Sequence, residues 1–431
     1  MPPPRISVTS RLLLLSLINL AVAIVFFAQK PAQSSFQLLD SDLHAVVSTD
    51  SSYFIEQAWQ TVRAGLPIYP TLVYQRHLKF QYPTSSILLG YVSSGLGVTM
   101  HTVVTWIVIL SWLLTLALGG EIFLLVLPHS LESPPEPAYR WRVRVLVISL
   151  GVLFYPLIVG VRLGQIQTLL TFLFVLAIYL WMRGHKLATG LCLALICVFK
   201  PQMMVFLLWG LLRKQWRFVG IFAASVIVVQ AIAIACFGWH NEVDYLGVLS
   251  FISKHGEVVG ENQSVNGMLQ RIVGIHNWLD APTDHFTYPP YQPIVYFGTV
   301  ISSAALYLFG LIVPIWKRWQ ATPADFILFG MIATIASPIA WTHHYGLFYG
   351  ATAFYLATVL KQSGRIPWSF LICFLLMANY IHILGKYYTL WWVNPFFNYV
   401  LYAGLGMVWL ISFGLRHGTE SMDQITSKST A

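Results

Sequence analysis

Residues 101–127 read HTVVTWIVILSWLLTLALGGEIFLLVL, an apolar run interrupted by one charge, Glu121. A helix rises 1.5 Å per residue, so about twenty such residues cross a hydrocarbon layer of roughly 30 Å. In lipid every backbone N–H and C=O must be satisfied, and a helix does this within its own segment. The run also lacks the two-residue alternation of a membrane barrel strand. Its reading sets the class of the whole chain, because similar runs recur near 11–29, 145–160, 168–182, 187–199, 202–212, 218–237, 293–315, 324–340, 346–360, 367–384 and 396–415. Together they predict an all-α, polytopic integral membrane protein of about twelve segments, with residues 1–431 forming a single membrane domain.

Composition points the same way. Hydrophobic residues make up 57% of the chain and charged residues 10%, against about 25% charged in soluble domains. That excludes a cytosolic enzyme and a secreted disulfide scaffold. The four cysteines sit in or beside apolar runs without loop spacing for a disulfide or a zinc site. The net charge of +9 is spread over the ends of apolar runs, which fits membrane topology and not a nucleic-acid surface. Placing Arg5 and Arg11 inside and alternating the segments puts 16 of the 25 Lys and Arg residues on the cytoplasmic side. Both termini are then cytoplasmic by the positive-inside rule, and the expected location is the plasma membrane. Bulky Phe26 and Phe27 before Ala28 make a poor cleavage site, so the first run reads as an uncleaved span.

Two long loops, about 30–100 and 238–292, fall outside in this topology. Within the first, Ser51 to Ala64 carries Phe54, Ile55, Ala58, Trp59 and Val62 at helical spacing before Gly65-Leu66-Pro67. This predicts an amphipathic helix lying along the outer interface. The runs at 187–199 and 202–212 are too short to cross alone. They flank Lys200-Pro201 as the halves of a broken pair that turns within the membrane.

Polar groups converge on that same outer side: Asp40, Asp42 and Asp50; Arg162 with Gly164-Gln165-Ile166-Gln167; Lys200; Glu261-Asn262-Gln263-Ser264 with Arg271; and Trp341-Thr342-His343-His344. A carboxylate beside cations and imidazoles suits transfer of a group from a lipid phosphate to a hydroxyl. The carboxylate takes the hydroxyl proton while the cations stabilise charge on the departing phosphate. The competing classes are a secondary transporter, which also uses many spans and a broken segment, and another lipid-linked transferase such as a polysaccharide ligase or acyltransferase.

The order Asp50-Ser51-Ser52-Tyr53, Ala64-Gly65-Leu66-Pro67-Ile68-Tyr69, Tyr82-Pro83, Gly164-Gln165, Lys200-Pro201, Asn262-Gln263-Ser264 and Ser337-Pro338-Ile339-Ala340-Trp341-Thr342-His343-His344 resembles glycosyltransferase family 87, formerly domain of unknown function 2029, of the glycosyltransferase-C superfamily. The resemblance spans about residues 40 to 345. It implies a glycosyltransferase-C-like fold and an inverting transfer of a sugar, often mannose, from a polyprenyl-phosphate donor to a glycolipid or glycan acceptor. An acid of the first external loop would be the base, and Asp50 matches that position. His343 and His344 join it as catalytic candidates, with Arg162, Gln165, Lys200, Asn262, Gln263, Arg271 and Trp341 as substrate-binding candidates. No metal and no cofactor is assigned, and the partners are the donor, the acceptor and membrane lipid, not nucleic acid. The chain departs from the family pattern at Ser51, where Phe is common, at Thr84, where a second Pro is common, and at Gln167, where Asn is common.

Each candidate also has a structural reading. Asp50 stands among Ser48-Thr49-Asp50-Ser51-Ser52, all suited to cap a helix. Lys200 suits a snorkelling helix end, Arg162 and Arg271 suit lipid headgroups, and Glu121 suits a structural pair.

Overall fold

The computed structural model describes residues 7–29, 47–127, 137–274, 288–381 and 391–415. Asp40 and Asp42 lie outside the described residues. The described chain is helical. Among the described residues no strand occurs, and an isolated bridge joins Asn262 to Trp341. In chain order the helices are α1 (Val8–Gln29), α2 (Asp50–Arg63), α3 (Leu89–Leu96), α4 (Met100–Val126), α5 (Pro137–Val152), α6 (Tyr155–Arg162), α7 (Gln167–Met182), α8 (Lys186–Cys197) and α9 (Val205–Leu212). They continue with α10 (Trp216–Phe237), α11 (Trp239–His255), α12 (Val265–Leu269), α13 (Pro293–Trp316), α14 (Pro323–Ile335), α15 (Phe348–Ser363), α16 (Trp368–Ala378) and α17 (Tyr399–Trp409).

Five described stretches are long and apolar enough to cross a membrane: Val8–Phe26, Met100–Val126, Trp216–Phe237, Pro293–Trp316 and Trp392–Gly414. The bent pair α5 and α6 makes a sixth if counted as one span. Apolar runs alone predict about twelve. The difference comes from chain breaks, which leave several apolar helices of only 10 to 17 residues, too short for the full hydrocarbon thickness at 1.5 Å per residue. The break at Lys200-Pro201 lies where the sequence places it, between α8 and a 3₁₀ turn, Pro201–Met204, leading into α9. A second break is unexpected: the run at 145–160 reads as one segment, yet α5 and α6 meet at 62°. Phe154 is extended, at φ −83° and ψ 100°, and Pro156 falls in the first turn of α6. Proline fits a first turn but has no N–H to donate and its ring excludes the carbonyl four residues back, so a helix cannot run through it and α6 begins anew.

α4 is the central post, packed against α5, α7 and α15. Glycines make this approach possible: a Cβ at Gly119 would lie 2.4 Å from the Tyr349 ring, and one at Gly151 would lie 2.7 Å from it. The Tyr349 hydroxyl, buried there, donates to the Val147 carbonyl at 3.0 Å. Beside it Phe174, Trp181, Phe206, Trp209, Phe218 and Phe326 form an interlocked aromatic core.

A smaller apolar cluster contains Ala58 and Trp59 of α2, Ile68, Leu72 and Phe80 of the following segment, and Tyr245 and Val248 of α11. It corrects one expectation. α2 exists as predicted, but its apolar residues Ile55, Ala58 and Trp59 are buried inside the protein and do not form a lipid-facing stripe. Packing against other loop elements removes that area from solvent as effectively as lipid would. The loop helices therefore make a folded cap that holds the N-terminal end of α2, with Asp50, against the α6–α7 junction.

Candidate active site

The site is assembled around the turn Gly164-Gln165-Ile166-Gln167 between α6 and α7. Gly164 has φ +63°, and a Cβ there would lie 2.0 Å from the carbonyl oxygen of Ser48. Glycine alone meets both demands, the left-handed backbone and the close approach. The chain entering α2 docks on this turn, with Ser48 N–H donating to the Arg162 carbonyl at 2.8 Å and Asp50 N–H to the Leu163 carbonyl at 3.2 Å. The carboxylate of Asp50 then receives a hydrogen bond from Gln165 Nε2 at 2.5 Å. Ser51 locks the arrangement: its hydroxyl donates to Gln165 Oε1 at 3.0 Å, accepts from Ile166 N–H at 2.9 Å and lies 3.0 Å from the Tyr82 hydroxyl.

This geometry answers the capping alternative. Thr49 is the N-cap and makes no side-chain cap, while Asp50 is the first helical residue and turns its carboxylate to Gln165. Among the described residues no ion pair includes Asp50. Burial pushes its carboxyl above the ordinary carboxylate value, the Gln165 bond offsets part of that, and the charge of Glu257 adds to it. A carboxylate held in place, half-buried and without a cation is suited to accept a proton.

Two residues along the same turn, Gln167 accepts a hydrogen bond from Lys200 Nζ at 3.3 Å. Lys200 lies in the neighbourhood of His343 and His344. The two imidazoles meet edge to face at 4.7 Å, and His344 Nδ1 accepts the Trp341 N–H at 3.0 Å. Nδ1 must therefore carry the lone pair, which leaves Nε2–H as the donor of the neutral ring. One turn of chain thus bonds the acid through Gln165 and the cation through Gln167.

Glu257 is not among the residues expected from the sequence. It is 1% exposed, pairs with Lys79 Nζ at 2.9 Å, and accepts from Gln81 Nε2 at 3.1 Å and Trp341 Nε1 at 2.5 Å. It ties the loop before Tyr82, the second long loop and the Trp341 segment together. A lone acid within Gly256-Glu257-Val258-Val259-Gly260 is the available signal.

Three of the residues expected at the substrate site are also engaged within the protein. Asn262 is fully buried, donating to the Glu257 and Pro338 carbonyls and accepting Ala340 N–H at 3.0 Å. Gln263 donates to the Gly260 and Phe397 carbonyls. Arg271, 1% exposed, donates to the carbonyls of Val258, Val259 and Asn262 and to Asn398 Oδ1. Most of their polar groups hold the loop that carries Glu257 and Glu261, while Gln263 Oε1 and Arg271 Nε have no hydrogen-bond partner among the described residues. Arg162 is half-buried and contributes its carbonyl to Ser48.

The three departures from the family pattern are all engaged in polar contacts: Ser51 with Gln165, Gln167 with Lys200, and Thr84, whose hydroxyl donates to Glu242 Oε1.

Residues 80–338 match the family model of glycosyltransferase family 87. The chain belongs to that family. It is thus a glycosyltransferase, and the transporter, polysaccharide-ligase and acyltransferase readings fall away. The matched segment holds Tyr82, Gln165, Lys200 and Glu257, while Asp50 and the Trp341–His344 segment join it through hydrogen bonds to Gln165 and Glu257. No curated protein matches the chain.

Proposed function

We propose that this glycosyltransferase moves a hexose, mannose-like, from a polyprenyl-phosphate sugar to a hydroxyl acceptor at the outer face of the plasma membrane, with inversion. Asp50 is the general base. The observation that carries the reading is the Gly164–Gln167 turn, which bonds the Asp50 carboxylate at one end, with no ion pair among the described residues, and Lys200 at the other. In the transfer, the acceptor oxygen attacks the anomeric carbon as its proton passes to an Asp50 oxygen. The bond from that carbon to the phosphate oxygen breaks, and polyprenyl phosphate leaves with the bonding pair. Lys200, with His344 Nε2–H as a neutral donor, stabilises the charge gathering on the phosphate. Trp341, fixed by Glu257, borders the sugar. A single displacement needs one base and leaves no sugar on the enzyme.

The test is direct. Protein in lipid nanodiscs receives radiolabelled polyprenyl-phosphate mannose, with polyprenyl-phosphate glucose and a nucleotide sugar as comparators. Expected is release of polyprenyl phosphate and a product of opposite anomeric configuration. Transfer from the nucleotide sugar alone would overturn the donor assignment, and retained configuration would overturn the single displacement.

A further inference from the structure

A transferase needs a second substrate site, and the Asp50 helix has a second face. An open groove of about 510 Å³ runs along α2, on a side distinct from that of Asp50 and Ser51. Thr49, Ser52, Tyr53, Glu56 and Arg63 of α2 line it, opposite Ser93, Ser94 and the Gly97–His101 corner where α3 meets α4. From Thr49 to Arg63 it extends about 20 Å at the helical rise. One end is Thr49, the residue before Asp50.

The walls are fixed by packing. The Trp59 indole lies on Gly90 of α3, where a Cβ would come 2.2 Å from the ring, and it meets Tyr91 edge-on at 4.8 Å. Ser52 Oγ lies 3.4 Å from His101 Nδ1, and Ser93 Oγ donates to the Val98 carbonyl at 2.8 Å. Tyr53 remains 45% exposed above this floor.

The lining selects a chemistry. An exposed aromatic ring offers a face for the C–H side of a sugar, while a carboxylate, a guanidinium and several hydroxyls offer donors and acceptors for its rim. Glu56 and Arg63 balance each other, so the groove has no net cationic character for a phosphate. Beside it the exposed apolar residues Tyr91, Val92 and Leu96 of α3 lead to α4, a candidate membrane span. A saccharide head group in the groove would leave its apolar tail along that flank.

We propose that this groove is the acceptor site, taking the saccharide head group of a lipid-anchored glycan and presenting its hydroxyl to Asp50 at the Thr49 end. The assignment deepens the transferase reading and rests on it. It also separates the substrates: the donor phosphate meets Lys200 and the histidines, and the acceptor arrives along the other face of α2.

A protection assay without donor tests it. Ser94, exposed at the groove edge, is changed to Cys in a chain where exposed Cys236 is Ser, in nanodiscs free of glycoside detergent. Labelling of Ser94→Cys by an impermeant maleimide is timed with octyl glucoside, octyl mannoside or octyl maltoside below micellar concentration, and with octanol or polyprenyl phosphate. At least one glycoside is expected to slow labelling while octanol and polyprenyl phosphate do not. Tyr53→Ala or Arg63→Ala should then raise the half-protecting concentration about tenfold, the effect expected for an aromatic or arginine anchor. Equal protection by octanol would make the groove a plain apolar surface, protection by polyprenyl phosphate would make it a donor site, and no protection by any glycoside would remove the assignment. Because no transfer is read, the groove fails or stands independently of the donor experiment above.

Discussion

Asp325 and Asp50 are both carboxylates held within the protein by hydrogen bonds from side chains, yet their surroundings differ. Asp325, at the start of α14, is fully buried and fully matched: Arg213 Nε donates at 2.7 Å, Trp209 Nε1 at 3.0 Å and Ala321 N–H at 2.7 Å. Arg213 also donates to the Leu311 carbonyl at 2.8 Å. Asp50 receives a neutral amide from Gln165 and no cation among the described residues. A buried charge whose oxygens are answered by several donors is an anchor, since any change in its charge breaks several bonds at once. A carboxylate held by one neutral donor keeps an oxygen available. Between the two clusters α9 and its leading turn run about 18 Å, from Pro201 beside Lys200 to Leu212 beside Arg213. The same helix therefore reaches the proposed site at one end and a lock at the other.

That contrast is open to attack by mutation. The largest expected effect is on Asp50→Asn, which keeps size and helix start but removes the base: turnover should fall by about 10²–10⁴-fold with folding unchanged. Near-normal sugar transfer by this variant would make Asp50 as structural as Asp325. Next comes Arg213→Met. It strands Asp325 in the interior and should cost about 3–5 kcal/mol in thermal or denaturant unfolding, whereas Arg213→Met with Asp325→Leu should recover most of it. Equal stability of the single and double variants would dissolve the lock.

A third comparison uses glycines. Gly164→Ala places a Cβ 2.0 Å from the Ser48 carbonyl at φ +63°, so it should displace Asp50 from Gln165 and reduce turnover by roughly 10- to 100-fold. Gly184, at φ +78° with open space around it, should lose about 1 kcal/mol of stability on change to Ala and keep its turnover. If both variants behave alike, the Ser48 docking is not what sets the base.

The smallest effect is in the pH profile. A base works deprotonated, so activity should fall as pH drops through the raised Asp50 value, earlier than for an ordinary carboxylate. Glu257→Gln removes a repelling charge and should move that limb to lower pH. An unmoved limb would take Glu257 out of the electrostatics of the site and leave it as a tie for Trp341.

Much of this site is legible in the sequence because residue type and topology suffice to say which groups collect at one end. Asp50, Gln165, Lys200 and the two histidines are singled out on that ground, and hydrogen bonds join Asp50 to Gln165 and Lys200 to Gln167 of the same turn. The same argument does not foresee the internal hydrogen bonds of Asn262, Gln263 and Arg271. A polar side chain in a loop reads as facing solvent or substrate, but here the loop passes through the interior, and its backbone carbonyls require internal donors. Arg213, at the end of an apolar run, is likewise buried, on Asp325. Glu257 escapes notice for the converse reason, since one acid in a polar loop is ordinarily solvated.

Membrane character and helical class follow from the sequence alone, because apolar length and backbone satisfaction in lipid are local properties of a run. So does the break at Lys200-Pro201, where proline removes a donor from the helix. Tertiary structure decided which loop residues face inward, and that Gln165 and Gln167 hold an acid and a lysine on one turn. The second outcome depends on contacts between residues far apart in the chain, 115 positions for Asp50 with Gln165 and 33 for Lys200 with Gln167, and no local pattern in the chain encodes the distance between them.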